Sequence, residues 1–260
     1  MPVAIEHPAY GQLRPVTDTA SVLLCDNPGK MTLDGTNTWV LRGPGSDELV
    51  VVDPGPDDDA HIEKLAALGR ITLVLISHKH GDHTDGIDKI VDATGATVRS
   101  VGSGFLRGLG GPLTDREVID AAGLRITVLA TPGHTADSVS FVLDDAVLTA
   151  DTVLGHGTTV IDNEDGDLGQ YLDSLHRLHG LGPRTVLPAH GPDLPDLAAV
   201  TQMYLAHRRQ RLDQVRAALD EIGADATARQ IVEHVYTDVD EKLWDAAEWS
   251  VQAQLNYLRA

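Results

Sequence analysis

The chain has 260 residues, 42% of them hydrophobic, and a formal net charge of −19. That length is ample for a large domain with its own core, and the apolar fraction excludes a disordered or membrane-embedded chain. The acidic excess excludes tight nonspecific binding to nucleic acid, so an anionic substrate has to be drawn by something local, such as bound cations.

The opening run MPVAIEHPAYGQLRPV has neither a basic start nor an apolar h-region, and no stretch approaches a membrane span in length. No signal peptide and no membrane attachment are therefore expected. Cys25, the single cysteine, excludes an internal disulfide and agrees with a cytoplasmic location. It sits in the strand-like run SVLLCD and reads as a small core residue.

From about residue 20 to 190 one pattern recurs: a short β-branched run with a ligand-type residue at its end. LVVVD ends at Asp53. DDAHIEKLAALG follows as a helix, with Ile62, Leu65 and Leu68 at three-residue steps and Gly69 as its stop. LVLIS precedes His78, and TDGIDKIVDATG is a further helix. GSGFLRGLGG, residues 102–111, lacks the Gly-Lys-Ser/Thr ending of a phosphate loop and reads as a flexible surface loop. ITVLATPG then precedes His134 and AVLTA precedes Asp151. DLGQYLDSLHRLHG places Leu168, Tyr171, Leu172, Leu175 and Leu178 on one helical face, and TVLPA precedes His190. Runs without clear alternation predict strands buried on both faces. After Pro192 and Pro195 the pattern changes to three helices: LAAVTQMYLAHRRQRLDQVRAAL, ATARQIVEHVY and DAAEWSVQAQLNYLRA. The expected division is residues 1–195 and 196–260.

ISHKHGDH, residues 76–83, gathers three imidazoles and a carboxylate within six positions. In an extended segment His78, His80 and Asp82 share a side, and His83 at a helix start can turn to the same space. Packing four ionisable groups together is costly unless a cation coordinates them. His134, Asp151 and His190 lie at the same end of their runs, as one site assembled from several strands requires, and the mixed imidazole and carboxylate set suits zinc and other first-row ions.

HxHxDH at 78–83, followed by a distant histidine, aspartate and histidine, resembles the metallo-β-lactamase superfamily over residues 20 to 195. The resemblance implies an α/β fold, an αββα sandwich, with His78, His80 and His134 on a first metal and Asp82, His83 and His190 on a second. Asp151 would bridge them, and Asp53 would support the histidine loop from behind. Asn27 to Thr38 (NPGKMTLDGTNT) and LGHGTT at 154–159 resemble the lactamase-β-like protein 2 group. The C-terminal helices, with His207 and Arg208, are similar to that group's small winged-helix domain, truncated here at Ala260 without room for a full β wing. That domain is expected to pack on the catalytic domain rather than read DNA.

The implied function is a hydrolase with two divalent cations, zinc first and iron or manganese as alternatives, delivering a shared hydroxide. Asp82 is ligand first and base second. The subgroup resemblance favours single-stranded RNA as substrate; a thioester or small ester, as in glyoxalase II, is the alternative. β-Lactam hydrolysis is disfavoured by the missing signal peptide. A redox diiron role is disfavoured because His80 stands where that motif commonly has glutamate, and a non-enzymatic binding role by the complete ligand set. His156, His207 and Arg208 are candidate substrate contacts, although a solvated helix face is the commoner fate of the last two. His7, His61, His176, His179 and His234 read as solvated. The apolar faces of the terminal helices leave room for a homodimer.

Overall fold

The structure, a computed structural model, describes residues 6–162, 164–235 and 244–259. Six strands, β1 (Leu13–Pro15), β2 (Ala20–Leu24), β3 (Asn37–Leu41), β4 (Glu48–Val52), β5 (Arg70–Leu75) and β6 (Thr97–Arg99), pair in sequence order as one sheet. The second sheet holds β7 (Val118–Ala121), β8 (Leu124–Ala130), β9 (Val139–Val142), β10 (Ala146–Ala150) and β11 (Thr185–Pro188), again neighbour to neighbour. Pairing is antiparallel except β4 with β5, β5 with β6, and β10 with β11.

The β-branched runs are buried on both faces because both sheets are covered on both sides. Val50 and Val52 of β4, with Leu73 and Leu75 of β5, point inward against Ile126, Val128, Phe141 and Leu148 of the second sheet. The intervening Val51 and Val74 point outward against α1 (Asp59–Ala66) and α3 (Ile87–Thr94) through Ile62, Leu65 and Ile90. On the far side Val147 and Val186 pack under α4 (Leu168–His179) and α5 (Leu197–Ile222) through Tyr171, Leu175, Leu178 and Tyr204. Period-two alternation thus divides each strand between an inter-sheet core and a helix-facing core, giving the four-layer αββα sandwich.

Capping matches the helix limits. Asp58 accepts the His61 amide at 3.0 Å, Asp167 accepts that of Gln170 at 2.7 Å, Asp196 accepts that of Ala199 at 3.0 Å, and α3 closes on Gly95 at φ 70°.

The end of α5 joins α6 (Ala228–Val235) and α7 (Trp244–Arg259) around Val215, Ile231, Val232, Val251 and Leu255. This small helical unit docks on the sandwich, with Ala253 and Leu258 of α7 packed against the α4–α5 core. The expected boundary at 195 falls just ahead of α5, whose first half belongs to the sandwich by packing. The expected helices also reach residues 236 and 260, which lie outside the described residues. No helix among the described residues is long and apolar enough to cross a membrane.

Candidate metal centre

Five strand ends converge. Asp53 follows β4, His78 follows β5, His134 follows β8, Asp151 follows β10 and His190 follows β11. Three local devices aim them. Asp53, at φ 54°, and Ala150, at φ 47°, occupy the left-handed region, where an L-residue costs roughly 1–2 kcal/mol and persists because its surroundings hold it. The β10–β11 register also shifts between Leu148 and Ala150, a bulge that turns Asp151 into the site. Gly133, at φ 130°, lies so close to Tyr171 that an added Cβ would sit 2.3 Å from its backbone, so only glycine lets the turn before His134 close.

One expectation is corrected. The extended run stops at His80 and α2 (Gly81–Thr84) begins at the next residue, so Asp82 reaches the site from the same helical turn as His83 rather than from a strand-like position. The reason is that His80 remains extended as the N-cap, and the first turn then projects both Asp82 and His83 inward.

Four of the five imidazoles of the centre have their outward nitrogen hydrogen-bonded. Ser77 Oγ donates to Asp53 Oδ2 at 2.6 Å and so accepts from His78 Nδ1 at 2.9 Å. His83 Nδ1 donates to the same Asp53 Oδ2 at 2.9 Å, His134 Nδ1 to the Val160 carbonyl at 2.7 Å, and His190 Nδ1 to the Gly35 carbonyl at 3.0 Å. For His80 the ring is reversed: Nε2 faces Asp162 Oδ2 at 3.5 Å and Nδ1 points inward. These partners take the outward nitrogens, so that the other nitrogen of all five rings is aimed at one space.

Those nitrogens, with the Asp82 and Asp151 carboxylates, form two clusters. His80 Nδ1 is 3.0 Å from His78 Nε2 and 3.1 Å from His134 Nε2. Asp82 Oδ2 is 3.3 Å from His83 Nε2 and 3.2 Å from His190 Nε2. Asp151 stands between them, its Oδ2 3.5 Å from His134 Nε2 and its Oδ1 3.3 Å from His190 Nε2. The donor atoms within each of the groups His78–His80–His134–Asp151 and Asp82–His83–His190 lie within 4.8 Å of one another. His83 Nε2 and Asp151 Oδ1 are buried without a hydrogen-bond partner, a costly arrangement that a cation would relieve. The residues therefore fit two metal ions.

Electrostatics separate the clusters. Burial, then the neighbouring His83, holds the His78 pKa well below the ordinary histidine value, and burial likewise lowers that of His134. Burial also works against charge on His190, but Asp151 and Asp82 outweigh it and push its pKa up to about 10. His83 is raised in the same sense, with Asp82, Asp53 and Asp151 overcoming burial. The two carboxylates are held ionised despite burial, Asp82 by His83 and His190, Asp151 chiefly by His190.

Several supporting residues are not assigned a role from the sequence. Thr36 donates to Asp82 Oδ2 at 3.2 Å. Asn37 Nδ2 donates to the carbonyls of Pro188 and Gly191 at 3.0 and 2.8 Å, and Trp39 Nε1 to that of Pro188 at 2.9 Å, tying β3 to the turn that carries His190. Asp162, which faces His80, sits in the acidic run IDNEDGD, indistinguishable in sequence from a solvated loop.

The remaining candidates divide. His156 is exposed and lines the cleft over the site with Lys30, Met31, Leu33, Leu154 and Val160, its Nε2 3.3 Å from Asp34 Oδ2. Arg208 is not a solvated residue: it is 4% exposed, its guanidinium stacks 4.9 Å over the Tyr171 ring, and Nη2 donates to the Thr159 carbonyl. The cause is geometric, since α5 lies directly against α4 at that point. His207 is half-buried and accepts from Arg211 Nε at 3.4 Å. His61, expected in solvent, is 4% exposed, hydrogen-bonded to Thr38 Oγ1 at 2.8 Å and lowered by burial to a pKa of about 4. Cys25 is buried, and burial pushes its thiol up to about 12, which makes it inert.

The fold and the ligand set together define a metal-dependent hydrolase. The sequence model of the Metallo-beta-lactamase superfamily matches residues 31–190, and that of the Beta-lactamase associated winged helix domain matches residues 227–260. Among curated relatives, the Lactamase-like protein adaB of Aspergillus niger is 35% identical over 228 residues, covering 85% of this chain and 70% of its own. A Beta-lactamase domain protein from Burkholderia ambifaria superposes with a TM-score of 0.82 at 20% identity, over 99% of this chain and 91% of that one. A metallo-beta-lactamase family protein from Thermus thermophilus gives 0.74 at 21% identity, over 94% of each. The chain belongs to the metallo-beta-lactamase superfamily.

Proposed function

We propose that this protein hydrolyses an ester or thioester at a two-cation centre held by His78, His80 and His134 on one side and Asp82, His83 and His190 on the other, with Asp151 shared. Zinc is the ion best matched to this imidazole-rich set. When bound, the cations polarise a carbonyl or phosphoryl oxygen and lower the pKa of a shared water.

The chain's own residues prepare that chemistry. Asp53, Ser77, Val160 and Gly35 hold the outward nitrogens of four rings, which orients the inward nitrogens towards the cations they would hold. Thr36 orients the Asp82 carboxylate, which at 25% side-chain exposure is the more accessible of the two carboxylates and the one placed to take a proton from an incoming water. Met31, Leu33, Leu154 and Val160 give the cleft apolar walls beside the site.

The observation that carries the carbonyl substrate over a polyanion is the charge of the surroundings. Lys79, beside the site, is already taken by three carboxylates, Asp162, Glu164 and Asp165, at 2.9, 3.2 and 3.1 Å. The buried Arg208 is likewise turned away from solvent. Single-stranded RNA is the second reading, favoured by exposed Lys30 at the cleft mouth. Zinc-loaded protein assayed on a thioester series and on labelled single-stranded RNA tests the choice. Faster turnover of thioesters is expected; cleavage of RNA with thioesters untouched would select the second reading.

A further inference from the structure

Beside the metal cleft lies a second pocket of about 330 Å³, at the lower end of the ~300–1,000 Å³ typical of small-molecule sites. Leu154, His156 and Gly157 line both, so the 154–157 segment is a wall with the metal centre on one side and this pocket on the other. The floor is the first half of α5, with Ala199, Val200, Met203 and Tyr204, and Leu194 adds a side.

Its polar groups are already consumed. The Leu154 amide donates to Tyr204 Oη at 3.0 Å, and Asp196 caps α5 through the Ala199 amide. Apart from His156 and the Asp196 carboxylate at its edge, what remains is hydrocarbon. Met203 is 54% exposed there, and Met31, at the mouth of the metal cleft, is also 54% exposed. Two large flexible apolar side chains thus stand in water at either side of one short wall, an arrangement that suits an adaptable apolar ligand. The wall itself is tied to the metal centre: the Gly155 amide donates to the His190 carbonyl at 2.8 Å, and a Cβ on Gly155 would sit 2.3 Å from the Pro192 carbonyl oxygen.

We propose that this pocket receives the hydrophobic acyl portion of the substrate, a long alkyl or extended aromatic group, while its carbonyl sits in the adjoining metal cleft. The occupant follows from adjacency: pocket and cleft lie on either side of the 154–157 wall, whose exposed tip at His156 and Gly157 is the rim over which an acyl chain would pass from one to the other. This assignment rests on the ester or thioester reading and adds chain-length selectivity to it. Burial of successive methylenes in such a pocket favours long chains cumulatively, and steric filling removes that preference.

The test uses metal-loaded full-length protein and the variant Ala199→Trp, which places an indole in the pocket from an exposed helical position remote from the core. Acetyl and decanoyl thioesters of one short thiol are compared. Wild-type protein is expected to favour the decanoyl substrate in kcat/KM, and Ala199→Trp to reduce the decanoyl-to-acetyl ratio about tenfold or more. A ratio moving less than twofold overturns the proposal. Met203→Glu, which brings a charge to the pocket, should lower the same ratio and guards against a peculiarity of the indole. Calorimetric titration with 1-decanol, which lacks a carboxylate for a cation to grip, reads the pocket apart from turnover. Saturable binding weakened by Ala199→Trp, with no thioester of either length hydrolysed, would keep the pocket and remove the acyl-hydrolase reading. No saturable binding together with an unchanged ratio would remove the pocket. If Ala199→Trp alters only the sedimenting mass, the surface is an interface between copies of this chain and the proposal fails.

Discussion

In one half of the centre, His78 and His134 hold their inward nitrogens 3.0 and 3.1 Å from that of His80, and burial presses protons off both. In the other, His83 and His190 stand 3.3 and 3.2 Å from Asp82, and the carboxylates keep protons on. The same strand ends therefore produce two metal-free states. The first half presents His78 and His134 already stripped of a second proton, ready for a cation. The second is an internally neutralised network that a cation has to enter by displacing protons. Proximity of ligands is common to both; readiness to bind is not.

The strongest way to break this comparison is Asp151→Ala, because its two oxygens face different halves. Both sites should lose affinity together, with metal content by mass spectrometry falling well below two ions and hydrolysis dropping on the order of 10³-fold or more. Retention of one tightly held ion would show the halves to be independent.

The pH dependence of metal uptake sharpens it next. His190, raised to about 10, and His83, also raised, must give up protons before binding, so second-half affinity should climb about tenfold per pH unit for each proton released, whereas the first half should change little above the ordinary histidine range. Stoichiometry near one ion at pH 6 and near two at pH 9 is expected. The metal-free protein should behave oppositely. Raised folded-state pKa values contribute stability that is fully present below about 6.5, the unfolded value, and is lost as pH rises towards 10, so its melting temperature should fall across that window.

Replacing the residues behind the ligands gives a smaller effect, about 10–100-fold in metal affinity. Asp53→Ala should weaken both halves, since one carboxylate orients His83 directly and His78 through Ser77. Asp162→Asn should touch only the half containing His80. Equal effects of the two variants on both ions would dissolve the distinction. Smallest of all, Thr36→Val removes one hydrogen bond to Asp82 and should cost about 1 kcal/mol in second-ion affinity, measured by competition with a chelator.

Much of this centre was legible along the chain because His78, His134, Asp151 and His190 each follow a short apolar run, with His80, Asp82 and His83 clustered behind the first. His78, His80, His83, His134, Asp151 and His190 all arrive where that pattern puts them. The start of the helix carrying Asp82 was misread by two residues, since HKHGD has no capping side chain to mark the start at Gly81. Asp162, Thr36 and Asn37 were missed for a different reason: a carboxylate, a hydroxyl and an amide in a loop or at a strand start look alike whether they face water or support the centre. Arg208 and His61 went the other way, polar letters on helices that the packing of neighbouring layers enclosed.

What the sequence determined by itself is the inventory of the centre and the kind of element that delivers each ligand, because strand period and ligand chemistry are local properties. Only the tertiary structure decided which nitrogen of each ring faces inward, how charge divides between the two halves, and that an apolar pocket adjoins the cleft. Those depend on groups up to 155 positions apart, as in His190 and Gly35, and on burial, which exists only once the layers have closed.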